Sequence, residues 1–184
     1  FPSFVLNDLS MKLFNYLYFA KFKQKNKALV SIKNFFYPLD NINNWNKIYG
    51  NGGFIQYQFV IPRENGIENL KKIIAVLIKF NIGSYLAVLK LFSKKNKNYL
   101  SFPIEGYSLA LDFKKSKDLT SMINKLDKMI VEFGGRIYLT KDSLMSESTF
   151  KRCYDDWEIF QDVRNKYNAL GKFKSSQSQR LGLE

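Results

Sequence analysis

The stretch FGGRIYLTKDS, residues 133–143, is where a helical pattern ends and a short strand begins. Its two glycines close the preceding helix, and residues 136–140 then predict a strand. Lys141 follows this strand directly and lies beside Asp142 and Ser143. Because the strand fixes the position of this lysine, the stretch predicts the last strand of a sheet together with a candidate functional lysine.

The residues before this stretch alternate between strand and helix patterns. Strands are predicted over residues 54–61, 84–92 and 106–113, and amphipathic helices over residues 67–80 and 118–133. With the strand at 136–140, the order is β-α-β-β-α-β. It predicts an α+β, ferredoxin-like antiparallel sheet with both helices on one face.

The flanking regions are an N-terminal extension and a C-terminal helical tail. In the extension, residues 7–22 have helical spacing, residues 30–36 predict a strand and Trp45 lies in a helical turn. In the tail, one helix is predicted to open near Ser146 and another to run over residues 157–167.

The sheet face opposite the helices is predicted to be polar. Strand alternation turns Tyr57, Phe59 and their apolar neighbours toward the helices. It places Gln56, Gln58, Lys90, Ser108 and Ala110 on the other face. Two interpretations stay open at this stage: an open platform for a ligand, or a solvated surface that alternation alone produces.

Composition limits the chemistry. The 29 basic and 16 acidic residues give a net charge of +13. This charge favours a phosphate-bearing ligand, an anionic lipid surface or a nucleic acid as the partner; the alternative is a lysine-rich surface with no specific partner. The chain contains no histidine, which removes histidine-based acid–base catalysis and most zinc sites, and we expect no metal. The single Cys153 is predicted to be structural.

A nucleic-acid-binding module is the rival interpretation, because RNA-recognition modules share this fold and a basic charge. Stacking on bases needs aromatic side chains on the open face. Here Tyr107 and Phe113 fall on the helix side, so nucleic acid is not the favoured partner.

Several collinear motifs resemble one flavoenzyme family. They are NFFYPLD (34–40), WN (45–46), YG (49–50), GFIQYQFVIP (53–62), SFPI (101–104) followed by Gly106, EFGGRIY (132–138) and KDS (141–143). Together they resemble the C-terminal part of the decaprenylphosphoryl-β-D-ribose 2′-oxidase family, FAD-linked oxidoreductases of the vanillyl-alcohol-oxidase type. The resemblance covers nearly the whole chain.

The resemblance implies a function and its partners. Such enzymes bind FAD in an N-terminal domain and oxidise a sugar hydroxyl of a polyprenyl-phosphate-linked pentose, converting the ribose 2′-OH to a keto group. A partner short-chain reductase then completes the epimerisation to arabinose. By position, Lys141 and Gln58 match residues at the junction of substrate and flavin, and Tyr138 matches a residue near the flavin.

The resemblance also implies substrate contacts, some of them altered. Gln56 and Lys90 match residues that line the same pocket. Ala110 stands where mycobacterial members have a cysteine attacked by covalent inhibitors, so inhibitors that need this thiol are expected to fail. Phe36 stands where the family has a tyrosine, and Tyr107 replaces a tryptophan.

Three segments and a location follow from the resemblance. Residues 1–53 are expected to be the N-terminal part of the substrate domain, residues 54–140 its ferredoxin-like unit, and residues 141–184 a segment that returns to the FAD-binding domain. The chain opens on Phe1 instead of Met, and we expect an inactive fragment of a longer enzyme. Without a spanning helix or signal, we expect a cytoplasmic protein or one peripheral at a membrane.

Overall fold

The computed structural model describes residues 7–23, 29–37 and 43–184. Its compact units are Phe1–Phe54 and Ile55–Glu184, and each is described by itself. The motif residues Pro38, Leu39 and Asp40 lie outside the described residues.

The first unit contains short helical elements. Helix α1 is Asp8–Lys23, helix α2 is Ile32–Phe36, and a 3₁₀ turn follows at Trp45–Tyr49. The strand predicted at 30–36 is therefore wrong: Ile32, Phe35 and Phe36 have the i, i+3, i+4 spacing of a helical face, not alternation. Tyr49 is buried and stacks on Phe54, with ring centroids 4.3 Å apart.

The second unit confirms the predicted α+β order. Its strands are β1 (Phe54–Pro62), β2 (Leu86–Phe92), β3 (Gly106–Lys114) and β4 (Arg136–Ile137), and its first helices are α3 (Gly66–Phe80) and α4 (Leu119–Glu132). The four antiparallel strands lie in the order β2-β3-β1-β4. The hairpin-linked β2 and β3 thus lie to one side of β1, and β4 closes the other.

The hydrophobic core lies between the sheet and the helices. Helix α4 buries Leu119, Met122, Ile123, Leu126 and Ile130, the spacing expected of an amphipathic helix. These side chains meet Phe59 and Phe113, which point from β1 and β3 and are fully buried.

The helices leave part of the sheet uncovered. On β2 the residues paired with Leu109 and Tyr107, namely Leu89 and Leu91, are exposed. Helix α3 buries Leu70 and Ile73, whereas Ile67, Ile74 and Ile78 are exposed. The apolar stripe predicted for α3 (Ile67, Leu70, Ile74, Leu77 and Ile78) is therefore buried only in part, because the neighbouring elements cover one edge of it.

Glycines are required where two strands approach and where α4 ends. A Cβ at Gly106 would collide with the backbone carbonyl of Ile61, so a side chain there would separate β3 from β1. Gly134 has a φ of +70°, which suits glycine and ends α4. The amide of Gly135 then donates to the carbonyl of Ile130 (2.8 Å).

The chain after β4 differs from the prediction. The predicted strand at 136–140 is only two residues long, and residues Leu139–Lys141 form a 3₁₀ turn, called here the lysine turn. Helices α5 (Glu147–Cys153), α6 (Trp157–Lys166) and α7 (Ser176–Arg180) follow. Leu181 and Leu183 beyond them are buried in the core cluster, so the tail completes the core of this unit.

Candidate functional site

The polar face of the sheet brings together side chains from three strands. Gln56 and Gln58 point from β1, and Ala110 points from β3. Lys90 points from β2 and pairs in register with Ser108, while its neighbour Val88 pairs with Ala110. Because alternate residues of a strand share a face, four of the predicted site residues lie on one surface.

The two glutamines are held by hydrogen bonds to β3. The Gln58 side-chain amide donates to the Ser108 hydroxyl (3.0 Å), and the Gln56 amide donates to the Asp112 carboxylate (3.0 Å). Ser108 is fully buried and Gln58 is 6% exposed. The expectation that Ser108 lies on an open face is therefore wrong, since polarity along a strand does not distinguish a solvated face from one whose polar groups are buried and paired.

An aromatic row closes one end of the polar face. Phe102 stacks on Tyr138 (centroids 4.4 Å apart) and meets Phe92 edge-on (5.9 Å). Phe92 belongs to the edge strand β2, and Tyr138 follows β4 at the opposite edge. Phe102 thus spans the sheet between them.

Arg136 fixes the segment that carries Phe102. Its guanidinium donates to the carbonyl of Ser101 and lies over the ring of Tyr154, 5.6 Å from the ring centroid. Sequence reasoning gave no role to Phe102 or Arg136. The signal available was that both belong to the quoted motifs, SFPI and EFGGRIY.

The lysine turn is connected to Gln58 by backbone hydrogen bonds. The amide of Tyr138 donates to the carbonyl of Gln58 (2.8 Å), and the amide of Lys141 donates to the carbonyl of Tyr138 (3.0 Å). Lys141 is half-buried, and its ammonium has no ion pair or hydrogen-bond partner among the residues that the structure describes. A shielded cation without a counter-ion is suited to an anionic ligand.

The remaining predicted residues differ in their surroundings. Lys90 is exposed on the edge strand, and Ala110 is half-buried between Ser108 and Asp112 on β3. Phe36 is exposed at the end of α2 and belongs to the first unit, so its place in the site stays a prediction.

Burial changes the acid–base chemistry on the helix side of the sheet. It raises the pKa of Asp127 on α4 to about 6, although the hydrogen bond from the Tyr57 hydroxyl (2.7 Å) acts in the opposite direction. It also raises the pKa of the buried Cys153 thiol to about 12. A thiol with so high a pKa is a poor nucleophile, which agrees with a structural role.

The requirement for base stacking is not met on β3. Phe113 is fully buried in the core, and Tyr107 packs against the core from the helix side. These two rings are therefore turned away from the polar face, as the sequence predicted.

Comparison with known proteins places the chain among oxidoreductases. It is 34% identical over its whole length to decaprenylphosphoryl-β-D-ribose oxidase of Mycolicibacterium smegmatis, of which it covers 40%. It is also 21% identical, over 70% of its length, to L-gulono-1,4-lactone dehydrogenase of Mycobacterium tuberculosis, of which it covers 30%. The chain thus spans well under half the length of the curated relatives it matches.

A family model confirms the resemblance drawn from the motifs. The model of D-arabinono-1,4-lactone oxidase matches residues 51–181, and the chain belongs to this family of FAD-linked oxidases. In the part of the chain that the structure describes, no helix is both long and apolar enough to span a membrane.

Proposed function

We propose that this chain is the C-terminal, substrate-side part of an FAD-dependent oxidoreductase that oxidises a sugar hydroxyl. The proposed substrate is a polyprenyl-phosphate-linked pentose whose ribose 2′-OH becomes a keto group. One arrangement carries the proposal: the buried Gln58–Ser108 pair is joined through Tyr138 to the turn that presents Lys141. Membership of an oxidase family gives this arrangement its chemical class.

The residues present fit a flavin. FAD, when bound, supplies the acceptor for the hydride that leaves the carbinol carbon as the hydroxyl loses its proton. The half-buried, unpaired ammonium of Lys141 provides a positive charge for a ring system that gains electrons, and Tyr138 provides an aromatic surface next to it. The chain has no histidine, so it cannot supply a histidine–flavin bond.

The polar face supplies substrate contacts in this proposal. Gln58 is oriented by Ser108 and places its remaining amide atoms for the sugar hydroxyl, and Gln56 is oriented in the same way by Asp112. Lys90, exposed at the edge, is available as a point charge for a phosphate or a sugar oxygen. Ala110 leaves the surface between them without a thiol.

The proposal is tested on the full-length enzyme that contains this chain, because residues 1–184 alone are expected to be inactive. The protein should be yellow as purified, and a polyprenyl-phosphate pentose should bleach it without oxygen. Lys141→Ala should slow this bleaching about 100-fold without lowering the thermal midpoint. Lys166→Ala, an exposed lysine of α6, is the matched control and should bleach at the wild-type rate.

The outcomes separate the parts of the proposal. A yellow protein that the lipid does not bleach would support a flavoenzyme and contradict the proposed substrate. Bleaching at the wild-type rate in Lys141→Ala would remove the role of the lysine. A product keto sugar would in turn require a reductase as the proposed partner.

We further propose that the enzyme is peripheral at an anionic membrane and that α1 makes the contact. Seven large side chains of α1 are more than half exposed: Leu9, Leu13, Phe14, Tyr16, Leu17, Tyr18 and Phe19. Residues 8–23 contain three lysines and one acidic residue. The exposed apolar side chains lie around the helix and do not form one face, so the proposed contact is made by the aromatic side chains at the level of the lipid headgroups and by the lysines, which anionic lipids attract.

Flotation of the full-length protein with liposomes tests this contact. Vesicles with phosphatidylglycerol should carry the protein upward, and neutral vesicles should carry much less. Phe14→Glu with Leu17→Glu should abolish flotation, whereas Tyr167→Glu with Phe173→Glu, which adds the same charge at two more exposed aromatic residues of the tail, should not. Equal flotation of the α1 variant would exclude α1 as the contact.

A further inference from the structure

The C-terminal tail holds the lysine turn by a side-chain hydrogen bond. The side-chain amide of Gln177, on α7, donates to the carbonyl of Leu139 (2.6 Å), the first residue of the turn. This bond joins residues 38 positions apart in the chain. It fixes the start of the turn, next to the backbone bond between Tyr138 and β1.

The other end of the turn is fixed through Asp142. One oxygen of this carboxylate accepts from the amides of Leu144 (3.0 Å) and Met145 (2.8 Å), and the other pairs with the Arg180 guanidinium (2.8 Å). The Asp142 side chain is 4% exposed, so this ion pair is largely shielded from solvent. Arg180 also donates to the carbonyl of Met145.

Helix α7 is itself anchored. Ser175 and Ser178 form a reciprocal capping box at its start, and the buried Leu181 and Leu183 anchor the chain just after it. A short helix with both ends fixed can hold its two long polar side chains in one place.

From these contacts we infer that Arg180 and Gln177 are positioning residues for Lys141. The lysine lies between two residues, Leu139 and Asp142, that α7 holds by separate hydrogen bonds. The ammonium can face a ligand in one place only if the backbone of Lys141 is fixed, and α7 fixes that backbone through Leu139 and Asp142. This inference rests on the proposed role of Lys141.

If Arg180 and Gln177 position Lys141, substituting either residue should slow the reaction because Lys141 is displaced. In the full-length enzyme, Arg180→Gln should reduce the rate of flavin bleaching by substrate about 10-fold. Arg180→Lys, which keeps the charge for Asp142, should recover part of the loss. Gln177→Leu, which removes only the bond to Leu139, should also slow bleaching.

A matched control separates positioning from general loss of stability. Leu70 is buried on α3, which belongs neither to the tail nor to the lysine turn. Leu70→Ala should lower the thermal midpoint, yet bleach within about 2-fold of the wild type at a temperature where it is folded. A rate loss equal to that of Arg180→Gln would overturn the inference.

The decisive comparison uses the Lys141→Ala background. If Arg180 acts through Lys141, adding Arg180→Gln to Lys141→Ala should slow bleaching by less than about 2-fold more. A further 10-fold loss would show that Arg180 acts elsewhere. A slow Lys141→Ala with normal Arg180 and Gln177 variants overturns only the positioning role, whereas a normal Lys141→Ala overturns the role proposed for the lysine as well.

Discussion

The two faces of strand β1 are buried to a similar degree by different means. Phe59 and Ile61 are fully buried among the apolar side chains of α4 and the neighbouring strands. On the other face Gln58 is almost as well buried, but its contact is a hydrogen bond to Ser108. Burial alone therefore does not distinguish the apolar core from the polar face, whereas the chemistry of the buried contact does.

This difference has an energetic consequence. Apolar burial contributes directly to the free energy of unfolding, whereas a hydrogen bond formed on folding replaces one made to water and contributes little net. Substitutions on the helix side should consequently change stability, and those on the polar face should change function. Three predictions test this division.

The largest expected effect is on the helix side. Phe59→Ala should lower the free energy of unfolding by about 3–5 kcal/mol, because it removes a fully buried ring and leaves a cavity. Phe92→Ala on the polar face removes the same atoms from a half-buried position. It should cost clearly less, about 1–2 kcal/mol. Urea unfolding of both variants measures the difference, and equal losses would contradict the comparison.

The second prediction concerns a polar contact on the helix side. Burial raises the pKa of Asp127 to about 6 from an ordinary value of 3.8, so the folded protein retains a proton there that the unfolded chain has released. The contribution of Asp127 to stability should therefore fall as pH rises from about 4 to 6, and then level off. Between pH 4.5 and pH 7, Asp127→Asn should gain about 2 kcal/mol relative to the wild type.

A second variant sharpens this prediction. Tyr57→Phe removes the hydrogen bond that lowers the pKa of Asp127, so the fall in stability should extend to higher pH. Unfolding free energies measured across this pH range would refute the assignment if the wild type and Asp127→Asn changed in parallel.

The order of the elements was predictable because most of the patterns were long. β1, β3, α3 and α4 have periods of two or near 3.6 over nine or more residues, and β1 and α4 were located within two residues of their observed ends. Helix α2 was missed because it has only five residues, too few for a spacing to stand out. The apolar stripe of α3 was recognised, but its spacing does not show that the neighbouring elements leave Ile67, Ile74 and Ile78 exposed.

The site was predictable only as a set of positions. Alternation located Gln56, Gln58 and Lys90 on one face. It could not show that the side-chain amides of the two glutamines would donate hydrogen bonds to Ser108 and Asp112. The Asp142–Arg180 pair was also beyond sequence reasoning, since its members lie 38 residues apart and no local pattern links them. Long-range pairing of polar groups depends on how the elements pack, which periodicity does not contain.

The smallest expected effect is on the polar face and is measured by a double-mutant cycle. Gln58→Leu and Ser108→Ala each leave a buried polar partner without its hydrogen bond, so each should cost about 1–2 kcal/mol. The double variant should cost about 1 kcal/mol less than the sum of the two, since it leaves neither group unpaired. Additive costs from urea unfolding would show that the pair is not coupled. In the full-length enzyme Gln58→Leu should nevertheless slow sugar oxidation strongly, because in the proposed function this face binds the substrate.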